Sequence, residues 1–292
     1  MRGLNRPPHR GFSLVELLVA LVVAGLVLAG VATTLLGAQR FYRAQAQVLE
    51  VQQNVRVVAQ VLSLELRGLD AGDGDIVAMS DTAITFKAPR AFGVICAAPD
   101  VARGVLVVRN SLTSGLRAVD PARDSVLVFR DGDPSIATDD RWLRSSLAAT
   151  GSAACTDGAA GSRLTLGSTV GGLAQLDSVG PGSPIRAFEV VRYRLYRDGE
   201  GLWWLGTQSF TGGGWSVTSP IAGPLRPRDG VAFAYADAAD QPVSSPLAVR
   251  LVHVVVRGRS SAPIRSLGRP AGAYQDSAVV SVFLRNSAHP TP

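Results

Sequence analysis

The first long segment of the chain is almost continuously apolar. Between residues 12 and 36 the polar interruptions are Ser13, Glu16, Thr33 and Thr34. A helix of about 20 apolar residues spans the hydrocarbon core of a bilayer, so this segment is long enough to cross a membrane. The positive residues lie before it, which predicts a cytoplasmic N-terminus and the export of everything that follows.

The apolar segment continues into a polar segment with helical periodicity. No proline interrupts residues 38–67, and Arg67-Gly68 is a predicted helix end at which the glycine is free to take a left-handed turn. The pattern predicts one helix of about 55 residues, ~80 Å long, with its first half in lipid and its second half packed on a globular body. Its apolar face recurs at spacings of three and four and consists of Val48, Val51, Val55, Val58, Leu62 and Leu66.

After residue 68 the pattern changes to the short apolar runs that are typical of strands. Residues 190–196 alternate apolar and polar side chains, and the chain turns and returns at 202–205, which predicts a hairpin. The segment 145–183, rich in Gly, Ser, Ala and Thr, is predicted to be a long loop crossed by one strand near residues 164–166. A long helix followed by a mainly antiparallel sheet is an α+β fold. Further strands are predicted at 84–86, 92–96, 105–108, 126–129, 231–235, 249–256 and 279–284.

The charge distribution gives little support for a nucleic-acid partner. The formal net charge is +6, and Arg2, Arg6 and Arg10 in front of the apolar segment supply three of these charges. Lys87 is the single lysine, and the arginines form no run with interleaved aromatic residues of the kind that binds single strands. We therefore do not expect nucleic acid among the partners.

Two cysteines, Cys96 and Cys155, lie far apart in the sequence. They are able to form a disulfide if the body is exported, because oxidising compartments allow disulfides to persist. Spacing alone does not decide the pairing, so two separate buried thiols remain the alternative.

Two aspartate-rich segments raise the question of calcium. The first places Asp70, Asp73 and Asp75 among glycines, and the second contains four aspartates between residues 131 and 140. Neither segment has the ligand spacing and closing glutamate of an EF-hand. We expect both to be polar turns, and we expect no metal and no cofactor.

The sequence contains no recognisable catalytic constellation. His9 precedes the apolar segment, His289 lies in a proline-rich tail, and His253 lies in an apolar strand where a structural role is expected. The motifs of α/β-hydrolases, P-loop nucleotide sites and zinc peptidases are absent from the sequence. We therefore do not expect an enzyme.

Glu16 separates the interpretations of the apolar segment. A secretory signal peptide has an apolar core of about 7–15 residues with a cleavage site after it, and this segment is longer. A plain signal anchor fits the length but leaves Glu16 unexplained. A charged residue deep in a membrane helix costs about 2.5–3.5 kcal/mol on insertion scales and is functional by default.

A third interpretation explains all of these features. The sequence Arg10-Gly11-Phe12-Ser13-Leu14-Val15-Glu16 resembles the prepilin peptidase motif of type IV pilins and type II secretion pseudopilins. The resemblance implies cleavage between Gly11 and Phe12, N-methylation of Phe12, and pairing of Glu16 with the Phe12 amine of a neighbouring subunit. Gly11 suits the cleavage because it has no side chain, so the extended segment can approach the peptidase site closely.

The same resemblance implies a division of the chain and a set of partners. Residues 1–11 are a cleaved leader, 12–37 the transmembrane half of the helix, 38–68 its amphipathic half, and 69–292 an exported β-rich domain with a type IV pilin-like fold. The expected partners are prepilin peptidase, other major and minor pilin subunits, the inner-membrane assembly platform, and membrane lipid before assembly. The expected location is the bacterial inner membrane, and then a cell-surface or periplasmic filament.

Features further along the chain narrow the resemblance. Phe41-Tyr42-Arg43, the hairpin at Tyr193-Arg194-Leu195 and the terminal Phe283-Leu284-Arg285-Asn286 look like those of PilW-type minor pilins, which are structural and assembly subunits of a pilus. The close alternative is a J-type minor pseudopilin of type II secretion. The alternative from another class is an exported binding module or enzyme that is tethered by a signal anchor.

Overall fold

The first element of the fold is one unbroken helix. The computed structural model describes residues 13–115, 117–133, 135–136, 139–211, 213–264 and 271–285. The helix, α1, runs from Leu14 to Arg67, and its 54 residues make it ~81 Å long. The prediction of a left-handed turn at Gly68 is wrong, because its φ is −84°. Instead, the Leu69 N–H donates to the Leu66 carbonyl over 3.2 Å, a tightened last turn that satisfies an end carbonyl.

Fourteen strands follow α1 in the described part of the chain, and all of their pairings are antiparallel. The α+β prediction is therefore confirmed, and the long apolar helix packed on a large antiparallel sheet is a pilin-like arrangement. The strands are β1 Ile76–Met79, β2 Ala83–Val94, β3 Val105–Arg109, β4 Ser114–Gly115, β5 Asp124–Arg130, β6 Arg141–Ala154, β7 Ala160–Thr169, β8 Pro184–Arg197, β9 Trp203–Thr211, β10 Gly214–Trp215, β11 Ser219–Leu225, β12 Val231–Ala236, β13 Leu251–Ile264 and β14 Gly272–Phe283.

The long pair β2–β8 is shared by two lobes of the sheet. On the other edge of β8, residues 185–189 pair with β5 and residues 191–197 pair with β9. Strands β9, β11, β12, β13 and β14 continue from one half and, together with β1 and α1, form the helix-backed lobe. From residues 185–189 of β8 the sheet continues through β5, β6, β7 and β3. It returns to the end of β2 through a bridge between Val108 and Ile95. This second group closes on itself and is called the barrel lobe.

The helix-backed lobe buries the predicted apolar face of α1. Val51, Val55, Val58, Leu62 and Leu66 are buried and pack against the sheet, which confirms the three-and-four spacing as a packing face. At Gly258 in β13 the two elements come so close that an added Cβ would lie 2.7 Å from both Val51 and Val55 side chains. The absence of a side chain at Gly258 therefore allows the helix to lie directly on the strand.

The interpretation of residues 145–183 as a long loop is wrong. Most of this segment belongs to the hairpin of β6 and β7, followed by a short 3₁₀ helix at Leu173–Ser178. Small Gly, Ser and Ala residues have low strand propensity and hide the alternation. The sheet register nevertheless turns a set of leucines into the barrel core: Leu143, Leu147, Leu164 and Leu166.

A disulfide between Cys96 and Cys155 ties the end of β2 to the turn between β6 and β7. The Thr156 N–H and hydroxyl both donate to the Cys96 carbonyl, at 3.3 and 3.2 Å, next to the bond. Because β2 is also the strand on which the barrel lobe closes, the disulfide holds that closure covalently.

Replacement of both Cys96 and Cys155 by serine should lower the free energy of unfolding by about 4 kcal/mol. The bond spans a sequence separation of 59, so its loss restores conformational entropy to the unfolded chain. Denaturant unfolding in detergent solution measures the effect, with chemically reduced wild type as the control that should match the double variant. Equal stability of the oxidised wild type and the double variant would contradict this role.

Candidate membrane anchor and assembly site

The N-terminal half of α1 is an apolar surface that the other described residues leave uncovered. Every residue from Leu14 to Leu36 is exposed, including large side chains such as Leu14, Leu21 and Leu26. Among the described residues, α1 is the single helix that is long and apolar enough to cross a membrane. None of its most apolar stretch is buried. An apolar surface of this size needs cover from lipid or from other proteins.

The start of the helix is fixed by Ser13. Its side-chain oxygen accepts a hydrogen bond from the Glu16 N–H over 3.4 Å, so Ser13 is the N-cap and Glu16 is the third helical residue. The sequence Ser-x-x-Glu is the capping-box pattern, and a carboxylate in the first turn also suits the helix dipole. This four-residue pattern could have indicated where the helix starts, although it was not used in the sequence analysis.

The predicted site residues have different outcomes. Gly11 and Phe12 lie outside the described residues. Glu16 is exposed in the first turn of α1, and its carboxylate has no ion-pair partner among the residues that the structure describes. A carboxylate is costly to bury alone, so an assembly that covers this surface must either pair or protonate Glu16.

Aromatic residues mark the point where the exposed apolar half ends. Phe41 and Tyr42 are exposed and contact each other edge to face, with ring centroids 6.2 Å apart. Arg40 and Arg43 flank them. Aromatic rings beside basic residues are typical of the boundary between a bilayer and water. About two turns before this boundary, the Thr33 and Thr34 hydroxyls both donate to the Gly30 carbonyl.

A network of buried charges connects the other end of α1 to both lobes. Arg90 on β2 donates to Glu65 of the helix (3.2 Å) and to Glu189 of β8 (3.0 Å). Arg117 contacts Glu189 at 3.1 Å and Asp124 of β5 at 2.6 Å. The network therefore joins the helix to the shared pair β2–β8 and to the first strand of the barrel lobe.

The electrostatics of the network favour its ionised form. Burial by itself would raise the pKa of Glu189, but hydrogen bonds from Ser209, Arg90 and Arg117 hold that pKa below its ordinary value. Burial by itself would lower the pKa of Arg90, but Glu65 and Glu189 raise it. Buried charges that lack a partner are strongly destabilising, so each member depends on the others.

Glu189→Gln should lower the free energy of unfolding at pH 7 by about 3 kcal/mol. This is the low end of the cost of breaking a buried ion pair, because Glu65 and Asp124 still face the two arginines. Since the pKa of Glu189 is lowered on folding, the stability it provides is present above the ordinary value of 4.5 and is lost as pH falls through the lowered pKa. The difference between variant and wild type should therefore shrink at acidic pH.

Urea unfolding at pH 7 and near pH 3 tests this dependence on Glu189. Glu200→Gln, in the exposed turn between β8 and β9, is the matched control and should change stability by less than about 0.5 kcal/mol at either pH. A Glu189→Gln deficit that is independent of pH would show that the charge of Glu189 does not contribute.

The aspartate segment after the helix is a turn whose acids are occupied by the chain itself. Asp70 accepts the Gly72 N–H at 2.9 Å, and Asp75 accepts the Asp70 N–H at 2.9 Å. Arg186 lies 3.5 Å from Asp73 and 4.0 Å from Asp75. Burial raises the pKa of both Asp73 and Asp75. No group of acids, histidines or cysteines suited to a metal occurs in the described part of the chain.

The structure gives His253 two partners that the sequence did not indicate. Its Nδ1 lies 2.9 Å from Ser281 Oγ, and its Nε2 lies 2.7 Å from Asp240 Oδ1. The order Ser–His–Asp is that of a hydrolase triad, but there the aspartate is buried and an oxyanion hole is aligned with the serine. Asp240 is 64% exposed in a turn, so water competes for its charge. The trio acts as a surface bridge between that turn and strands β13 and β14.

The comparisons with known proteins agree with the first turn of the helix and its exposed surface. Residues 6–32 match the prokaryotic N-terminal methylation motif. This chain carries a prepilin-type N-terminus. The match covers about a tenth of the chain and supports a type IV pilin-like protein, either a pilin or a pseudopilin, whose apolar helix fits single-pass anchoring in a membrane. No curated protein and no solved structure matches the chain.

Proposed function

We propose that the protein is a minor pilin, a structural and assembly subunit of a type IV pilus-like filament. The observation that carries the proposal is the Glu16 carboxylate, which has no ion-pair partner among the described residues and lies in the first turn of an exposed apolar helix, inside a methylation motif that matches residues 6–32. In this proposal prepilin peptidase cuts between Gly11 and Phe12, and the new amine of Phe12 is methylated.

The proposed assembly mechanism follows from the cost of burying charge. The anchor helix leaves the membrane and packs against the helices of neighbouring pilins, which replaces lipid around its apolar half. Glu16 of the incoming subunit then pairs with the Phe12 amine of its neighbour. Loss of one member of a buried pair typically costs about 3–5 kcal/mol, so the pairing selects one axial register over others.

Several features support an exported body without catalytic function. The Cys96–Cys155 disulfide suits an oxidising compartment outside the cytoplasm. The positive leader suits a cytoplasmic N-terminus and a periplasmic body before assembly. The exposed Asp240 in the His253 trio argues against hydrolysis, so we assign the body a structural role and propose other pilins and the inner-membrane assembly platform as its partners.

The choice of a pilus rests on the similarity to PilW-type minor pilins at Phe41-Tyr42-Arg43, Tyr193-Arg194-Leu195 and Phe283-Leu284-Arg285-Asn286. The second candidate is a J-type minor pseudopilin of type II secretion, because the methylation motif is common to both groups. Neighbouring genes for pilus assembly favour the first candidate, and neighbouring genes for a secretion pore favour the second.

Mass spectrometry of the mature N-terminus tests the processing step. We expect a chain that begins at Phe12 and carries one methyl group on its amine, and we expect the unmodified full-length chain in cells without prepilin peptidase. An intact Met1 in peptidase-containing cells, or a cut after the apolar segment, would contradict the proposal.

Substitutions of Glu16 separate its charge from its place in the helix cap. Glu16→Gln keeps a side chain that suits the third helical position, whereas Glu16→Ala removes both the charge and the capping group. If the charge pairs with the Phe12 amine, both variants should be cleaved and methylated yet should enter filaments at least tenfold less than wild type (about 1.4 kcal/mol or more).

Sheared filaments analysed by quantitative immunoblotting give the readout for these variants. Glu50→Gln, an exposed carboxylate further along the same helix, is the matched control and should be incorporated normally. Normal incorporation of Glu16→Gln with a defect only in Glu16→Ala would assign Glu16 to helix capping and would refute the pairing.

A further inference from the structure

Strand β14 forms a long open edge of the sheet in the described part of the chain. The outer edge of β12 is covered by the turn between β1 and β2, where the Phe233 N–H donates to the Asp81 carbonyl over 2.7 Å. The outer edge of β3 is closed by the bridge from Val108 to Ile95. Strand β14 pairs with β13 on one side, and no strand from the described residues lies on its other side.

The register of β14 shows which backbone groups face outward. The Leu284 N–H donates to the Arg250 carbonyl over 3.0 Å, so position 284 belongs to a hydrogen-bonded pair. Hydrogen-bonded and non-bonded pairs alternate in an antiparallel ladder, and the ladder is regular from Leu251/Phe283 to Arg259/Gln275. The N–H and C=O groups of Val279, Ser281 and Phe283 therefore point away from β13.

These outward groups remain available. The Ser277 N–H, at the next outward position, is capped by the side chain of Asp276 at 2.8 Å. The N–H groups of Val279, Ser281 and Phe283 have no partner among the described residues. The side chains of Val279 and Phe283 are 68% and 61% exposed. Natural proteins protect open edges with prolines, lysines or bulges, and this stretch has none of them.

A groove runs beside the open edge, between β14 and α1. Its volume is about 670 Å³, and its strand wall is formed by Asp276, Ala278 and Val280. Its helix wall is a stripe of exposed residues one turn apart: Gln52, Arg56, Gln60, Leu64 and Arg67. A strand added to β14 would send alternate side chains into this groove, and the others would lie beside Val279 and Phe283.

We propose that the β14 edge binds an extended segment of a different protein as an additional strand, and that this segment carries acidic side chains on the face toward α1. Only an extended backbone matches the alternating N–H and C=O groups of the edge. Arg56 and Arg67 have no ion-pair partners in the described ranges, and Asp276 is the single acid that lines the groove. The groove is therefore net positive.

Antiparallel pairing of two β14 strands from two copies of the chain does not fit this edge. Two β14 strands that pair antiparallel are related by a two-fold axis perpendicular to the sheet. Such an axis reverses the direction of α1 in one copy, and two copies anchored through the same apolar half would then have opposite orientations in one membrane. Strand β14 belongs to the folded body, so its edge is available to a different partner whether or not the chain is cut after Gly11.

Hydrogen exchange on the full-length chain in lipid nanodiscs tests the proposal. The probe is a synthetic peptide of about ten residues in which valine alternates with glutamate, and the comparison peptide has lysine in place of glutamate. The glutamate peptide should slow exchange of the amides of Val279, Ser281 and Phe283, and the lysine peptide should bind at least about tenfold more weakly because of Arg56 and Arg67.

Two variants separate backbone pairing from charge. Ser281→Pro removes an outward N–H without removing a ladder hydrogen bond, and it should weaken the glutamate peptide about tenfold or more; Ser281→Ala keeps the N–H and should bind within about twofold of wild type. Arg56→Glu should reverse the preference between the two peptides while thermal unfolding stays unchanged, which keeps the test independent of any folding defect in Ser281→Pro.

Four outcomes would overturn the proposal. The first is equal binding of the glutamate peptide to Ser281→Pro and Ser281→Ala. The second is that neither peptide protects the three amides from exchange. The third is protection that depends on the concentration of the chain, because it would assign the edge to a second copy. The fourth is protection in the chain alone that disappears when residues 286–292 are deleted, because it would assign the edge to the chain's own terminus.

Discussion

The exposed apolar half of α1 is the constraint on which the rest of the structure depends. The chain buries the second half of this helix in its own core, whereas the described residues leave the first half, from Leu14 to Leu36, uncovered. A single helix thus belongs to two environments, and it is continuous between them. Whatever covers the first half, lipid or other subunits, is mechanically coupled to the sheet through one rigid element.

The body is built to keep that coupling rigid. Gly258 lets the helix lie directly on β13, and the Arg285 N–H donates to the Arg67 carbonyl, which ties the end of β14 to the end of α1. The charge network around Arg90 and Glu189 fixes the helix to the strands shared by both lobes. A load on the anchor therefore reaches the barrel lobe, which the disulfide closes, through a short series of buried contacts.

Much of this architecture could be predicted from periodicity, because the helix stripe and the hairpin at residues 190–205 have strong local patterns. The hairpin of β6 and β7 could not, because its small residues carry little strand preference and only the closed barrel makes burial of Leu147 and Leu164 favourable. The partners of Glu65, Glu189 and His253 come from other strands and turns, so no local spacing indicates them. Glu16 differs from these residues, because the sequence motif that contains it is local. Its pairing with the Phe12 amine of a neighbouring subunit remains a prediction.

The distribution of the chain between membranes and filaments shows whether the exposed half of α1 moves from lipid into a filament after processing. The chain should be measured quantitatively in sheared filaments and in inner membranes, from cells with and without prepilin peptidase. We expect the chain in filaments only when the peptidase is present, and we expect it to remain entirely in the membrane otherwise. A chain that stays in the membrane of peptidase-containing cells that bear filaments would contradict it.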